Sequence, residues 1–193
     1  MYLAIIAQFI IQLIALSVNG INPIVYMKKS LALLILAFTS RSSVGCLPVT
    51  IETLTQKLGV NQATASFVAG FGTTAGMQGC AGIFPSLLIV YVCHLTGTAM
   101  DFSMIVMTII VVTLGSLGIA GIPGTATMAA SVGLSGVGMA SSFSLIGPIL
   151  AIDPLIDMAR TMLNVSGSVT NALIIDKRLG NLDENIYNEI NKN

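Results

Sequence analysis

Apolar residues run almost unbroken from Tyr2 to Val18, and the run ends at Asn19-Gly20-Ile21-Asn22-Pro23. Asn-Gly and Asn-Pro pairs are turn signals, so a helix over 2–18 is expected to stop there. That length is at the lower limit for a bilayer span, which normally takes ~20 residues. The chain therefore reads as entering part-way along a longer helix. Lys28 and Lys29 follow, then an apolar run at 31–38, LALLILAF, too short to cross. It meets Ser-Arg-Ser-Ser-Val-Gly-Cys-Leu-Pro at 40–48, and a helical stretch returns over 49–60. Two half-length limbs around a small-residue tip predict a re-entrant hairpin. Such irregular backbone is tolerated at membrane depth only where protein or a wet cavity surrounds it.

The next segment, 62–95, contains GFGTTAGMQGCAG at 70–82. Its glycines predict local unwinding, since each costs ~1 kcal/mol of helix stability relative to Ala. Residues 103–114 are apolar and stop at GSLGIAGIPGTA, 115–126, after which a limb returns over 128–140. This repeats the layout of 31–60. The last long segment covers 143–176, and the charged, Asn-rich stretch 177–193 reads as a solvated tail. Two short Gly/Pro-interrupted segments in corresponding places point to a transporter binding site.

Composition fixes the solvent. Hydrophobic residues make up 54% of the 193, charged residues only 8%, and the mean hydropathy is +0.91. Soluble domains carry about 25% charged residues, so the bilayer is the expected surrounding. Tryptophan is absent, so there is no tryptophan belt. A net charge of zero gives no reason to expect nucleic acid. The N-terminal run has no basic flank or small-residue cleavage site and is not a signal peptide. If the interrupted segments re-enter and the longer ones cross, Lys28/Lys29 and Lys177/Arg178 lie on one side, which the positive-inside tendency makes cytoplasmic.

Chemistry concentrates in the last long segment. Asp153, Asp157, Arg160, Thr161, Asn164 and Ser168 fall within an arc of roughly 100° at helical pitch. Charged groups at membrane depth are costly and usually mark a pathway or site. An i,i+3 ion pair between Asp157 and Arg160 would be the structural explanation, but it leaves the rest of the stripe without a purpose. Asp153 suits either the site or a turn start before Pro154. The tip around Ser42 and Ser43 offers hydroxyls and free amides able to hold an anionic group; Arg41 beside them either joins that site or snorkels to the interface. Cys46, Cys80 and Cys93 have no metal spacing and read as buried free thiols. His94 reads as an interface residue. GSLGIAGIPGTA lacks the Gly-Lys-Ser/Thr ending of a phosphate loop. No nucleophile–base pair points to an enzyme.

Four motifs, Arg41-Ser-Ser-Val-Gly-Cys-Leu-Pro-Val-Thr50, Gly76-Met-Gln-Gly-Cys80, Gly118-Ile-Ala-Gly-Ile-Pro-Gly124 and Asp153-Pro-Leu-Ile-Asp-Met-Ala-Arg-Thr-Met-Leu-Asn-Val-Ser-Gly167, occur in this order. Together they resemble the C-terminal half of the dicarboxylate/amino acid:cation symporter family, with the glutamate-transporter fold. The resemblance implies an all-α membrane protein of transmembrane helices and two re-entrant hairpins. It equates 1–18 with the end of a sixth helix, 29–60 and 103–140 with the two hairpins, 62–95 and 143–176 with helices seven and eight, and 177–193 with a cytoplasmic tail. On this resemblance the chain would be a partial transport domain lacking the N-terminal scaffold helices.

The resemblance further implies substrate contacts. Arg160 would hold a substrate carboxylate and Asp157 the amino group, with Thr161 and Asn164 orienting it. Ser42, Ser43, Ile122, Ala126 and Cys80 would complete the site. The family's two sodium-site carboxylates are here Gln78 and Ser168. Hard cations prefer charged oxygens, so sodium or a proton is the expected coupling ion, with no other cofactor. A remaining cation site would use Gly72, Thr74, Ser116, Leu117 and Ile119, with Asn164 and Ser168. The Gly-Met-Gln-Gly-Cys variant is most similar to the bacterial cystine-uptake branch. The expectation is L-cystine symport in a bacterial plasma membrane, as a homotrimer once scaffold helices are present. Symport of an acidic amino acid or C4-dicarboxylate, and an inactive truncated remnant, are the alternatives.

Overall fold

The computed structural model describes residues 1–189, which are helix, turn and loop throughout. Helix α1, Tyr2–Val18, ends at the Asn-Gly turn. Helix α2, Pro23–Ser40, starts where the Asn22 side chain caps the Ile24 amide and Pro23 occupies the first turn. Both devices favour helix initiation. The apolar run 31–38 is therefore the second half of an 18-residue helix, long and apolar enough to cross a membrane, rather than a short isolated limb.

The chain reverses through 41–46 and returns as α3, Leu47–Glu52, which widens into a π-helical turn over Thr53–Lys57. Helix α4, Gln62–Ala75, breaks at Gly76–Met77. A π-helical segment, Gln78–Ile83, leads into α5, Phe84–Thr96. The glycine-rich stretch thus unwinds at two residues and overwidens at six. A second reversal joins α6, Phe102–Ser116, to α7, Thr125–Gly136, through a tip at 117–124.

The segment expected as one helix over 143–176 is two pieces. A 3₁₀ stretch, Ala140–Ile146, continues into α8, Gly147–Ala151, and the chain then bends by 86° into α9, Asp153–Leu179. Pro154 explains the break: it has no amide to donate to the carbonyl four residues back and its ring clashes with that carbonyl, so α8 cannot run on through it, whereas the first turn of a new helix accepts it.

Helix α9 is the axis of the fold. It packs against α1, α2, α4 and the π-helical segment. Leu16, Tyr26, Leu33, Leu54, Ala65, Val169 and Leu173 form one apolar core around it. Phe84, Leu88, Ile89, Ala130 and Leu134 form another between α5 and α7. Meanwhile Leu3, Ile6, Ile10 and Ile14 of α1 and Phe102 and Ile109 of α6 face outward. Polar groups inside and large apolar side chains outside are what a bilayer demands.

The end of the chain is less solvated than expected. Helix α10, Glu184–Asn188, folds back so that Tyr187 is buried in the first core and donates to the Asn22 carbonyl at 2.8 Å. Burial pushes its phenol above the ordinary tyrosine value, so it stays a donor. Lys29 donates to the carbonyls of Lys57 and Ile186, Arg178 reaches Asn19 at 2.8 Å, and Lys177 pairs with Glu184. Both basic clusters therefore sit at one end of the molecule. The final residues of the expected tail, 190–193, lie outside the described residues.

Candidate functional site

Periodicity alone puts the α9 stripe on one face, and packing buries all six of its members, Arg160 completely. One guanidinium nitrogen, Nη2, bonds Asp153 Oδ1 at 2.6 Å and Asp157 Oδ1 at 3.1 Å. The guanidinium lies 3.9 Å above the Phe84 ring, a cation–π contact. Its Nε and Nη1 are buried and have no hydrogen-bond partner. Two unused donors on a buried cation constitute an incomplete site, because buried polar groups are normally satisfied.

The π-helical segment supplies the opposite wall. Gly79 donates its amide to Asn164 Oδ1 at 2.7 Å, and Asn164 Nδ2 reaches Cys80 Sγ at 3.1 Å. Cys80 lies 3.5 Å from Asp157 Oδ1. The close approach needs a glycine, since a Cβ on Gly79 would fall 2.8 Å from the Arg160 carbonyl oxygen.

The two chain reversals meet above this floor. Gly121 donates to the Thr73 carbonyl at 2.9 Å, and its own carbonyl accepts from the Val44 amide at 3.1 Å and the Ser42 hydroxyl at 3.3 Å. Beneath the clasp Ser43, Cys80, Ile122, Asp157, Thr161 and Asn164 line a single closed seam, with no space wide enough for a water.

These six expected substrate residues are thus brought together, while Ser42 serves in the clasp. Ala126 is not among them; it is buried in the α5–α7 core, and Thr125 lines the seam in its place. Arg41 and Met77 line it as well. Arg41 was legible as a cation at the tip; Met77 and Gly121 lay inside two of the quoted motifs with no role of their own, and nothing marked Phe84.

The residues expected around a cation have the following settings. Gly72 touches Ser168, whose hydroxyl donates to the Asn164 carbonyl at 3.3 Å. Thr74 and Ser116 are occupied by carbonyls of their own helices. Ser116 also borders a separate cavity of about 240 Å³, shared with Gly76, Gln78 and Asn171. Leu117 is exposed and Ile119 is buried against Met77 and Cys80.

Gln78 has a different setting from either. Its Oε1 accepts from Gln8 at 3.0 Å and from Gln12 at 2.8 Å, and Gln12 accepts from Ser166, which pairs with Tyr26 at 2.7 Å. A neutral chain of amides and hydroxyls fills this part of the interior.

Comparison with known proteins matches residues 1–178 to the model of the sodium:dicarboxylate symporter family. The chain is 43% identical over 189 residues to the L-cystine uptake protein TcyP of Bacillus cereus, covering 97% of this chain and 40% of that protein. The TcyP of Bacillus licheniformis is 42% identical over the same shares. That of Shouchella clausii is 41% identical over 99% of this chain and 41% of its own length. The chain therefore spans about 40% of the length of the curated relatives it matches.

Proposed function

Because the chain belongs to the sodium:dicarboxylate symporter family, we propose that it forms the substrate-binding part of an amino acid symporter, with L-cystine as substrate, in a bacterial plasma membrane. The observation that carries this reading is Arg160, a fully buried cation with two unpartnered nitrogens, paired to Asp157, which lines the seam between the two helical reversals. A substrate carboxylate satisfies those donors, and Asp157 takes the ammonium group. Thr161, Asn164 and Cys80 complete the floor, and Ser43 and Ile122 belong to the tips that must part for entry. We read 29–60 and 103–140 as re-entrant hairpins whose tips meet where Gly121 bonds Val44 and Ser42. Identity of 41–43% to proteins named for L-cystine uptake favours cystine over an acidic amino acid or dicarboxylate. The relatives' remaining length would supply scaffold helices and trimer contacts.

Coupling to several sodium ions is not supported by these side chains. Gln78 is neutral and its oxygen already accepts two amide bonds. Ser168 adds no charge, and a hard cation prefers charged oxygen ligands. A proton is the driving ion we propose. Uptake into proteoliposomes tests both points, with the chain reconstituted alongside the N-terminal part of a TcyP relative. Cystine uptake should exceed aspartate uptake by about 10-fold or more, the selectivity of one well-placed charged contact. Replacing external sodium with choline should change it by less than about 2-fold. Steep sodium dependence with preferred aspartate uptake would reject the reading.

A further inference from the structure

Charge at and behind the seam exceeds what one amino acid head requires: Arg41 and Asp157 line it, and Arg160 and Asp153 are paired behind Asp157. Asp157 and Arg160 suffice for one ammonium and one carboxylate. Asp153 is buried one helical turn before Asp157 and shares the same guanidinium. Arg41 lines the seam from the opposing tip, and its guanidinium reaches the carbonyl of Pro154, the residue after Asp153, at 3.4 Å. That contact is longer than a good N–H···O bond, so the group is weakly engaged. Arg41 is also the one non-glycine among the described residues with positive φ, +54°. This left-handed conformation costs roughly 1–2 kcal/mol for a side-chain-bearing residue, and held strain of this kind clusters at functional sites.

We infer that Arg41 and Asp153 form a second head-group subsite, so that the site binds both amino acid ends of one L-cystine molecule. The charges match: two aspartates and two arginines face two ammoniums and two carboxylates. The spacing matches as well. Residues four apart on a helix are separated by about 6 Å along its axis, and the two α-carbons flanking a disulfide lie about 4.4–6.8 Å apart. One head engages Asp157 and Arg160, the other Asp153 and Arg41, and the disulfide bridges one turn of α9. On binding, the first carboxylate takes the two unused donors of Arg160, Nε and Nη1, and Asp153, which gives only Oδ1 to Nη2, offers its other oxygen to the second ammonium.

The inference rests on the cystine reading above, and ligands with half of the second head separate the two. The mixed disulfide of cysteine with cysteamine lacks only the second carboxylate, and that with 3-mercaptopropionate lacks only the second ammonium. Equilibrium binding is measured on the full chain in lipid nanodiscs. Wild-type chain should bind L-cystine about 10- to 100-fold more tightly than the cysteamine disulfide, the range for a charged hydrogen bond. Arg41→Gln should abolish that preference, read as the ratio of the two affinities within the one variant, and its remaining saturable binding of the cysteamine disulfide reports that the variant is folded. Asp153→Asn also loosens Arg160, so it too is read as a ratio: it should abolish the preference for L-cystine over the mercaptopropionate disulfide. A cystine preference that survives Arg41→Gln unchanged overturns the second subsite alone. Tight aspartate binding with no cystine binding overturns the cystine reading and the subsite together.

Discussion

Arg160→Ala is expected to abolish ligand binding and to cost the fold about 3–5 kcal/mol, the usual penalty for removing one partner of a buried ion pair. Arg160 is completely buried and contacts two buried aspartates through one nitrogen. Alanine leaves both carboxylates without their cation and takes the guanidinium from the Phe84 ring. Two further variants separate folding from recognition. Arg160→Ala with Asp153→Asn removes one stranded charge and should regain part of the lost stability without any binding. Arg160→Lys restores a charge but not the planar fork of donors, so it should fold better than alanine and still bind at least ~100-fold more weakly than wild type, the cost of losing charged hydrogen bonds. Thermal unfolding and ligand titration in nanodiscs read the two effects apart. Unchanged binding in Arg160→Ala would remove the assignment of the floor of the site.

Gly79→Ala is expected to have the next largest effect, from a single methyl group. Its Cβ would lie 2.8 Å from the Arg160 oxygen, 2.9 Å from its Cα and 3.0 Å from its Cβ. These atoms are anchored in the middle of α9 and cannot turn aside, so the π-helical segment must move instead. The Gly79–Asn164 bond of 2.7 Å and the Cys80–Asn164 contact of 3.1 Å move with it. Overpacking of this sort costs typically ~1–3 kcal/mol, and cystine affinity should fall by about 10-fold or more as the wall is displaced. Gly82 is the internal comparison. It lies in the same π-helical segment, and a Cβ there meets nothing within 4 Å. Gly82→Ala should bind as wild type does. Equal losses at the two positions would show that helix propensity, rather than the approach to α9, sets the requirement.

The floor of the site was legible because it is local. Asp153, Asp157, Arg160, Thr161, Asn164 and Ser168 belong to one helix, and a period of 3.6 suffices to align them. The tips were legible for a related reason, since Gly, Ser and Pro at 40–48 and 115–126 interrupt apolar runs. What escaped depends on partners distant in sequence. Gln8 and Gln12 look like lapses in the apolar first helix until Gln78 is placed against them. Gly121 is one of several tip glycines; its clasp depends on Thr73, Val44 and Ser42 converging from two other elements. Tyr187 sits in a polar stretch, and only the return of α10 to Asn22 buries it. Ala126 was matched to the site by motif, but α7 turns it toward α5 and presents Thr125 instead. The bend before α9 had a local signal in Pro154, but a proline in the first turn is also compatible with a continuous segment carrying a cap.

The central claim is that the face of α9 from Asp153 to Asn164 binds a cystine molecule rather than an acidic amino acid. Competition binding of radiolabelled L-cystine to the full chain in lipid nanodiscs, with choline in place of sodium, tests it most directly. Unlabelled L-cystine should displace the label, and L-aspartate should need a concentration about 100-fold higher, as expected when one charged head is lost. Displacement by aspartate at equal concentration, or binding that appears only with sodium, would contradict the account.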